Sequence, residues 1–388
     1  MVKTVLILLV VISWFYWLAA LLLVYRFFRD DEERGDFMPP VSILKPVKGL
    51  DTDAYQNFAS FCQQDYPEYE LLFGVADACD PVLRVIERLR RDFPDRNIRL
   101  IISEPIGTNR KASLLHRLEQ EARHEILVAS DSDMRVTPDY LHRVVGPLAD
   151  DEIGLVTCPY RGNQPETLSA GLEILHMGVS FLPAVILARS VIKMRFAMGA
   201  SVALRHQSLA EIGGFAALAD YLADDYQLGA RISGLGLRVH LSRYVMTCIL
   251  GATTFRRQWD REVRWMRCAR ISRPREYPGW LFSFTTPLAL ALVVATGFES
   301  SAVQLVLLSL LWRWVAAWLI SGQTGDAESR RWLLWLPLRD ILSASTWLIG
   351  ALGRHIVWRD EVFTLQDDGR MKPVPPSQGQ SQEGKHIW

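Results

Sequence analysis

Residues Thr4 to Tyr25, "TVLILLVVISWFYWLAALLLVY", form an uninterrupted apolar run, long enough to cross a hydrocarbon core of about 30 Å. A cleavable secretory signal would put positive charge first, then a shorter apolar stretch and a small-residue cleavage site. Here only Lys3 precedes the run and the basic "YRFFR" follows it, which reads as a retained signal anchor. Arg26, Arg29 and Arg34 outnumber Lys3, so the positive-inside rule puts the segment after the anchor in the cytoplasm. The acidic Asp30, Asp31, Glu32 and Glu33 count little in that rule.

The chain has 388 residues, room for one large domain besides the membrane segments. Five scattered cysteines, Cys62, Cys79, Cys158, Cys248 and Cys268, show neither CxxC nor Cys/His ligand spacing. That argues for a reducing compartment and against a zinc site or a disulfide framework. Lys plus Arg and Asp plus Glu both number 43, and no basic stripe calls for a nucleic-acid partner.

After Met38-Pro39-Pro40, four short apolar runs start at 41, 70, 98 and 125, spaced by a strand plus a crossover helix. The segments between them read as helices: Asp53 to Gln63, Pro81 to Phe93 with Asp80 as its cap, and Lys111 to Glu121. This predicts an α/β domain with a mainly parallel sheet, whose ligands bind beyond the carboxyl ends of the strands. Those ends carry Lys45, Asp77, Glu104 and the pair Asp131 and Asp133. Farther on, "GLVTCPY" reads as a strand, and "GASVALRHQSLAEIGGF" as a strand, a helix and a glycine stop. The apolar stretch between them, interrupted or flanked by His176, Arg189, Lys193 and Arg195, reads as a buried or interfacial helix rather than a span.

Leu281 to Phe298 and Ala302 to Ile320 read as a membrane hairpin. Trp332 to Leu352 contains Pro337, Arg339 and Asp340, so it reads as re-entrant or surface-lying. The polar end of the chain, from Pro373 above all, reads as disordered.

Several residues can carry chemistry, and each has a plainer reading. Asp131 and Asp133, two apart after an apolar strand, can share Mg²⁺ or Mn²⁺ with nucleotide phosphates, or can be the polar turn before the helix that "TPD" opens. Asp77 can meet a base or ribose, or simply shape its turn. Asp224 and Asp225 begin a helix that ends in glycine, as a cap or as a general base. Lys111 can reach a phosphate or stand in solvent. Arg261 and Arg264 share a helical face beside Trp265, which suits diphosphate and a sugar or lipid face, or an ordinary basic helix at a membrane surface.

Taken in order and spacing, Asp77, Asp131-Ser132-Asp133, Asp225 in "ADDYQLG" and Arg261-x-x-Arg264-Trp265 resemble the D, D, D, (Q/R)xxRW signature of ceramide glucosyltransferases and bacterial hopanoid glycosyltransferases. "VSILKPVKGLD", "FCQQDYPEYELLFGV", "GTNRKASLL" and "SDSDMRVTPDYL" resemble that family too. The resemblance implies a GT-A, Rossmann-like nucleotide-sugar domain between an N-terminal anchor and a C-terminal transmembrane or re-entrant region. The corresponding boundaries are 1–37 for anchor and linker, 38–278 for the GT-A domain, 279–360 for membrane helices and 361–388 for a disordered polar tail.

By the same resemblance, Asp77 contacts the nucleotide, Asp131 and Asp133 hold Mg²⁺ or Mn²⁺ against the diphosphate, and Asp225 is the catalytic base. Arg261, Arg264 and Trp265 close over diphosphate and acceptor; Lys111, on its own reading as a lysine that reaches a phosphate, is assigned to the donor site beside them. The expected reaction is inverting transfer from a UDP-sugar to a hydroxyl of a bilayer lipid, with no nucleic-acid partner and the domain cytoplasmic, on a bacterial inner membrane. Ceramide enzymes carry a histidine near the place of Phe181 and commonly Asp-Ser-Gly where Asp131-Ser132-Asp133 stands. "GVSFLPAVILARS" and the ending "WLPLRDILSASTWLIGALGRHIVWRDEVF" look more like the hopanoid branch, which implies N-acetylglucosamine moved to bacteriohopanetetrol. Ceramide glucosylation is the alternative. A processive polysaccharide synthase shares the signature but needs more spans, and a non-catalytic membrane binding protein is the remaining class.

Overall fold

The computed structural model describes residues 1–29, 36–192, 194–358 and 361–374. The acidic run after the anchor with Arg34, as well as Lys193, Arg359 and the tail from residue 375, lie outside the described residues. Helix α1 (Val2–Arg29) is followed by the regular alternation β1 (Val41–Val47), α2 (Ala54–Cys62), β2 (Tyr69–Val75), α3 (Val82–Asp92), β3 (Asn97–Ile102), α4 (Arg110–Glu121) and β4 (Ile126–Ser130). The four apolar runs are therefore strands, and the spacers are helices. Every residue of β1, β2 and β4 is buried, as befits strands covered on both faces.

Next come β5 (Met134–Arg135), α5 (Tyr140–Val145), β6 (Ile153–Thr157) and β7 (Tyr160–Pro165). The segment expected to be one strand, "GLVTCPY", is split between β6 and β7, which lie in different sheets. Pro159, without an N–H to donate, stands at the break. Helix α6 (Leu168–His176) continues through a π turn, Met177–Phe181, into α7 (Leu182–Val191). Then follow β8 (Ser201–Arg205), α8 (His206–Glu211), α9 (Asp224–Gly234), β9 (Arg238–Leu241), β10 (Met246–Gly251) and α10 (Phe255–Ser272).

The main sheet has the order β3-β2-β1-β4-β8-β6-β9, parallel except that β8 runs against both neighbours. The chain moves outward from β1 to β3, then returns to place β4 on the other side of β1. This makes the β1/β4 boundary the switch point, where a crevice opens beyond the strand ends. A second sheet, β5-β10-β7, lies beside that crevice. Asp80 does more than open α3: its Oδ1 accepts from Val82 N (2.9 Å) while its Oδ2 accepts from Gly49 N (2.8 Å), tying the loop after β1 to the α3 start.

The membrane part is α11 (Thr285–Ala295), α12 (Ser300–Gln323), α13 (Ala327–Trp332) and α14 (Leu336–Gly350). Among the described residues three helices are long and apolar enough to cross a membrane: α1, α12 and the composite Leu168–Val191. The first two bury only 22% and 28% of their most apolar windows inside the protein, against 78% for Leu168–Val191. That composite is packed within the fold, while α1 and α12 keep apolar surface for lipid. The expected span Leu281–Phe298 is instead broken: the 3-10 turn Tyr277–Ser283 meets α11 at 74°. With 15 residues α14 is about 22 Å long, short of a full crossing.

Trp17, Ala20, Val24 and Phe27 of α1 share one apolar core with Leu44, Leu72 and Leu127 of the sheet. The polar end expected to be disordered from 361 is, up to Pro373, part of a three-stranded antiparallel sheet of β11 (His355–Trp358), β12 (Glu361–Leu365) and β13 (Met371–Pro373). Ile356, Phe363, Leu365 and Met371 bury its apolar face with Leu222, which offsets the cost of ordering such polar strands.

Candidate active site

A cavity of about 1200 Å³ opens at the switch point and runs into the membrane helices. Asp77, Lys111, Asp131, Asp133, Asp225, Arg261, Arg264 and Trp265 all line it, whereas Lys45 and Glu104, the other polar residues at the strand ends, do not. Its far end is apolar, walled by Tyr16 and Trp17 of α1, Val185 and Val191 of α7, and Phe284.

The turn after β4 holds the two carboxylates. Asp131 Oδ1 pairs with Lys111 Nζ at 2.5 Å, and Asp133 lies against β10, with Cys248 Sγ 3.5 Å from its Oδ2 and its carbonyl accepting from Ile249 N at 2.9 Å. Asp133 Oδ1 is buried without a hydrogen-bond partner among the described residues. Burial, reinforced by the facing Asp131 and Asp51, pushes the Asp133 carboxyl up to about 7. An orphaned oxygen and mutually repelling carboxylates are what a divalent cation relieves. Among the described residues no three His, Cys, Asp or Glu side chains converge to hold an ion. The protein thus offers two carboxylates, a set that suits Mg²⁺ or Mn²⁺ completed by phosphate and water.

Behind the turn stands Lys45, fully buried, its Nζ 2.9 Å from the Asp131 carbonyl oxygen and 3.5 Å from the Phe61 ring centroid. Burial outweighs the surrounding carboxylates and lowers its pKa to about 7. Lys111 is not a solvated lysine. Its ammonium also donates to Gly199 O at 2.9 Å, and Asp131, Asp224 and Asp225 outweigh its burial and raise its pKa. Asp77 is exposed on the cavity rim, where its Oδ1 accepts from Cys79 N at 2.8 Å; it both shapes its turn and faces the cavity.

Asp225 sits in the first turn of α9. Its Oδ2 accepts from Gly199 N at 2.9 Å and its Oδ1 from Tyr226 N at 2.7 Å. Burial and the adjacent Asp224 raise it to about 6, with Lys111 opposing. Gly199 thus bridges the lysine and the carboxylate through its backbone. A β-carbon there would lie 3.1 Å from both Asp225 Oδ2 and Lys111 Nζ, so a side chain in place of glycine would crowd both groups.

Helix α10 is capped by Thr254, whose side chain accepts from Arg257 N, and presents Arg261, Arg264 and Trp265 to the cavity. Arg261 is paired with Glu173 of α6, and Arg264 stacks over Trp358 of β11 at 5.6 Å. The helix is fixed from below by Glu262, which receives both terminal nitrogens of Arg339 in α14 at 2.6 Å each.

The sequence reading missed Asp51, Glu173, Cys248 and above all His176. Asp51 ends "VKGLD", and its Oδ2 accepts from Ser132 Oγ at 2.5 Å. A signal for the α6 pair existed: Glu173 and His176 stand one turn apart in an otherwise apolar segment, costly unless they are used. His176 reaches the cavity from the same composite helix, its ring 6.4 Å from those of both Phe181 and Trp265.

The sequence model of Glycosyl transferase family 21 matches residues 5–371. Similar proteins include Ceramide glucosyltransferase 3 of Caenorhabditis elegans, 25% identical over 347 residues covering 87% of this chain and 75% of that protein. A ceramide glucosyltransferase of Gibberella zeae is 30% identical over 138 residues, 33% of this chain and 26% of that protein. Among solved structures, a mannosyltransferase from Pyrobaculum calidifontis in complex with GDP-Man and Mn²⁺ superposes with a TM-score of 0.55 at 19% identity. The match covers 90% of this chain and 99% of that one, and it identifies the catalytic fold as GT-A. The chain belongs to glycosyl transferase family 21 and is a membrane-associated glycosyltransferase.

Proposed function

We propose that this enzyme transfers a sugar, with inversion, from a UDP-sugar to a hydroxyl group of a membrane lipid. The observation that carries the reading is one cavity joining a carboxylate pair, a separate half-buried carboxylate and an apolar tunnel walled by membrane helices. Asp131 and Asp133 would hold Mg²⁺ or Mn²⁺, which would supply charge stabilisation to the departing diphosphate. Arg261 and Arg264 add positive charge from α10, and Asp77 holds the nucleotide at the rim. Lys111 keeps the Asp131 carboxylate oriented, and Asp225 takes the proton of the attacking lipid hydroxyl. Displacement in one step inverts the sugar carbon and needs no nucleophilic side chain.

Two acceptor readings each have support. Ceramide, with glucose as the sugar, is supported by the relatives named ceramide glucosyltransferases. Bacteriohopanetetrol, with N-acetylglucosamine, is supported by the segments around Phe181 and Arg339, on the cytoplasmic face of a bacterial inner membrane. The solubilised full-length protein, incubated with UDP-glucose or UDP-N-acetylglucosamine and each lipid, should yield one glycolipid by mass spectrometry. Sugar released to water alone, with neither lipid modified, rejects the proposal.

A further inference from the structure

The composite helix 168–191 contributes a continuous face to the cavity. Glu173, His176, Ser180, Ala184, Ala188 and Val191 follow one another at intervals of three or four residues and all line it. The face is polar over its first three positions and apolar over its last three. The π turn Met177–Phe181, an element frequent at functional sites, falls where the polarity changes.

The polar end has buried groups that the protein leaves unmet. His176 is only 7% exposed, and its Nδ1 has no hydrogen-bond partner among the described residues. One turn earlier, Glu173 Oε1 is also unpartnered, as is Nε of Arg261, to which Glu173 is paired. Unmet buried donors and acceptors are costly, and a ligand that supplies their partners recovers that cost. A neutral imidazole offers one donor and one acceptor, and its ring lies near-parallel to those of Phe181 and Trp265. The Glu173 carboxylate beside the imidazole disfavours an anion at this end, so the complementary ligand group is uncharged and hydrogen-bonding. That describes a hydroxyl or an amide better than a phosphate.

We infer that this end of the helix face is a head-group pocket. The His176 imidazole holds a hydroxyl or amide beside the acceptor hydroxyl that receives the sugar, and the apolar chain runs along Ala184, Ala188 and Val191. The inference rests on the lipid-transferase reading and narrows its acceptor class to lipids with a second, uncharged polar group near the reacting hydroxyl. Ceramide offers an amide and a hydroxyl there, and bacteriohopanetetrol offers neighbouring hydroxyls. A plain long-chain alcohol offers neither.

The test compares the full-length protein with His176→Phe, which keeps the ring stack, and His176→Gln, which restores a donor and an acceptor. Transfer to ceramide, bacteriohopanetetrol and hexadecanol is measured, alongside UDP affinity and lipid binding by native mass spectrometry. His176→Phe should lower kcat/KM for the preferred polar lipid by about ten- to a hundredfold through KM. Hexadecanol transfer and UDP affinity should stay within about twofold, and His176→Gln should recover part of the loss. An equal loss with hexadecanol, or no loss with either polar lipid, overturns the pocket. Lipid binding that depends on His176 without sugar transfer would sink the transferase reading and keep the pocket, whereas transfer indifferent to His176 would do the reverse. Should His176→Phe fail to fold, the ratio of polar-lipid to hexadecanol transfer in His176→Gln decides alone.

Discussion

At Asp225 two opposed influences set the protonation state. Burial and the neighbouring Asp224 favour the neutral acid, Lys111 favours the anion, and the balance leaves the carboxyl raised to about 6. A general base works only when deprotonated, so a raised pKa costs activity on the acid side. With Asp225 as base, kcat/KM for the lipid should climb about tenfold per pH unit below pH 6 and level off above it. Asp225→Asn should abolish transfer at every pH while leaving UDP-sugar affinity within a few-fold, and equal loss of donor binding would move Asp225 to the donor site. The metal pair has its own readout. Changing both Asp131 and Asp133 to Ala should remove the dependence of UDP affinity on added Mn²⁺, which calorimetry measures directly; persistence of that dependence assigns the turn a structural role. These carboxylates were legible in the sequence because each follows a strand or opens a helix at a recognisable place. His176 and Glu173 were not, because periodicity reports which face is buried and says nothing about which buried polar group faces a cavity.

Among elements, α10 matters most, because it places three cavity residues and is held by a part of the chain far from it in sequence. Glu262 is 3% exposed and Arg339 fully buried, and their two bonds lock α10 to α14. Removing one member of such a pair strands the other charge, at a cost of about 3–5 kcal/mol. Arg339→Met should therefore lower the thermal stability of the detergent-solubilised protein markedly. The double variant Arg339→Met with Glu262→Leu should regain most of that loss, since a buried pair replaced by apolar groups is often neutral. If the double variant is as unstable as the single one, the pair is not what fixes the helix. The sequence showed Arg339 and Asp340 as an expense at membrane depth without showing what meets it. The partners, Glu262 for Arg339 and Arg313 for Asp340 at 3.3 Å, lie on other helices. The C-terminal sheet was illegible for a different reason. Its strands are three to five residues long and mixed in polarity, and they are ordered by docking onto Leu222 and α10 rather than by any pattern of their own.

For the molecule as a whole, the anchor is a wall of the active-site cavity as well as a tether. Helix α1 packs on α7, α11 and α12, and its Tyr16 and Trp17 line the apolar end of the cavity. Trp17 is 1% exposed; its ring lies 3.7 Å from the Arg313 guanidinium carbon, and its Nε1 donates to Ser283 O at 3.1 Å. Arg313 in turn holds Asp340, so the stacked tryptophan belongs to the same buried network that seats α14. A signal anchor read from hydropathy alone predicts that any other apolar span could replace it, since hydropathy records length and composition but no contact. The structure predicts otherwise. A chain carrying an unrelated span in place of residues 2–29 should still insert into membranes and, where it folds, bind UDP, because the carboxylates at the strand ends remain. It should lose lipid glycosylation by more than tenfold, because the cavity loses one wall and Arg313 loses its aromatic partner. Trp17→Ala in the native anchor should reproduce much of that loss, whereas Leu8→Ala, at a position 56% exposed toward lipid, should not. Rates of glycolipid formation normalised to inserted protein measure all three. Equal activity of the swapped chain would reduce α1 to a tether and place the acceptor tunnel elsewhere.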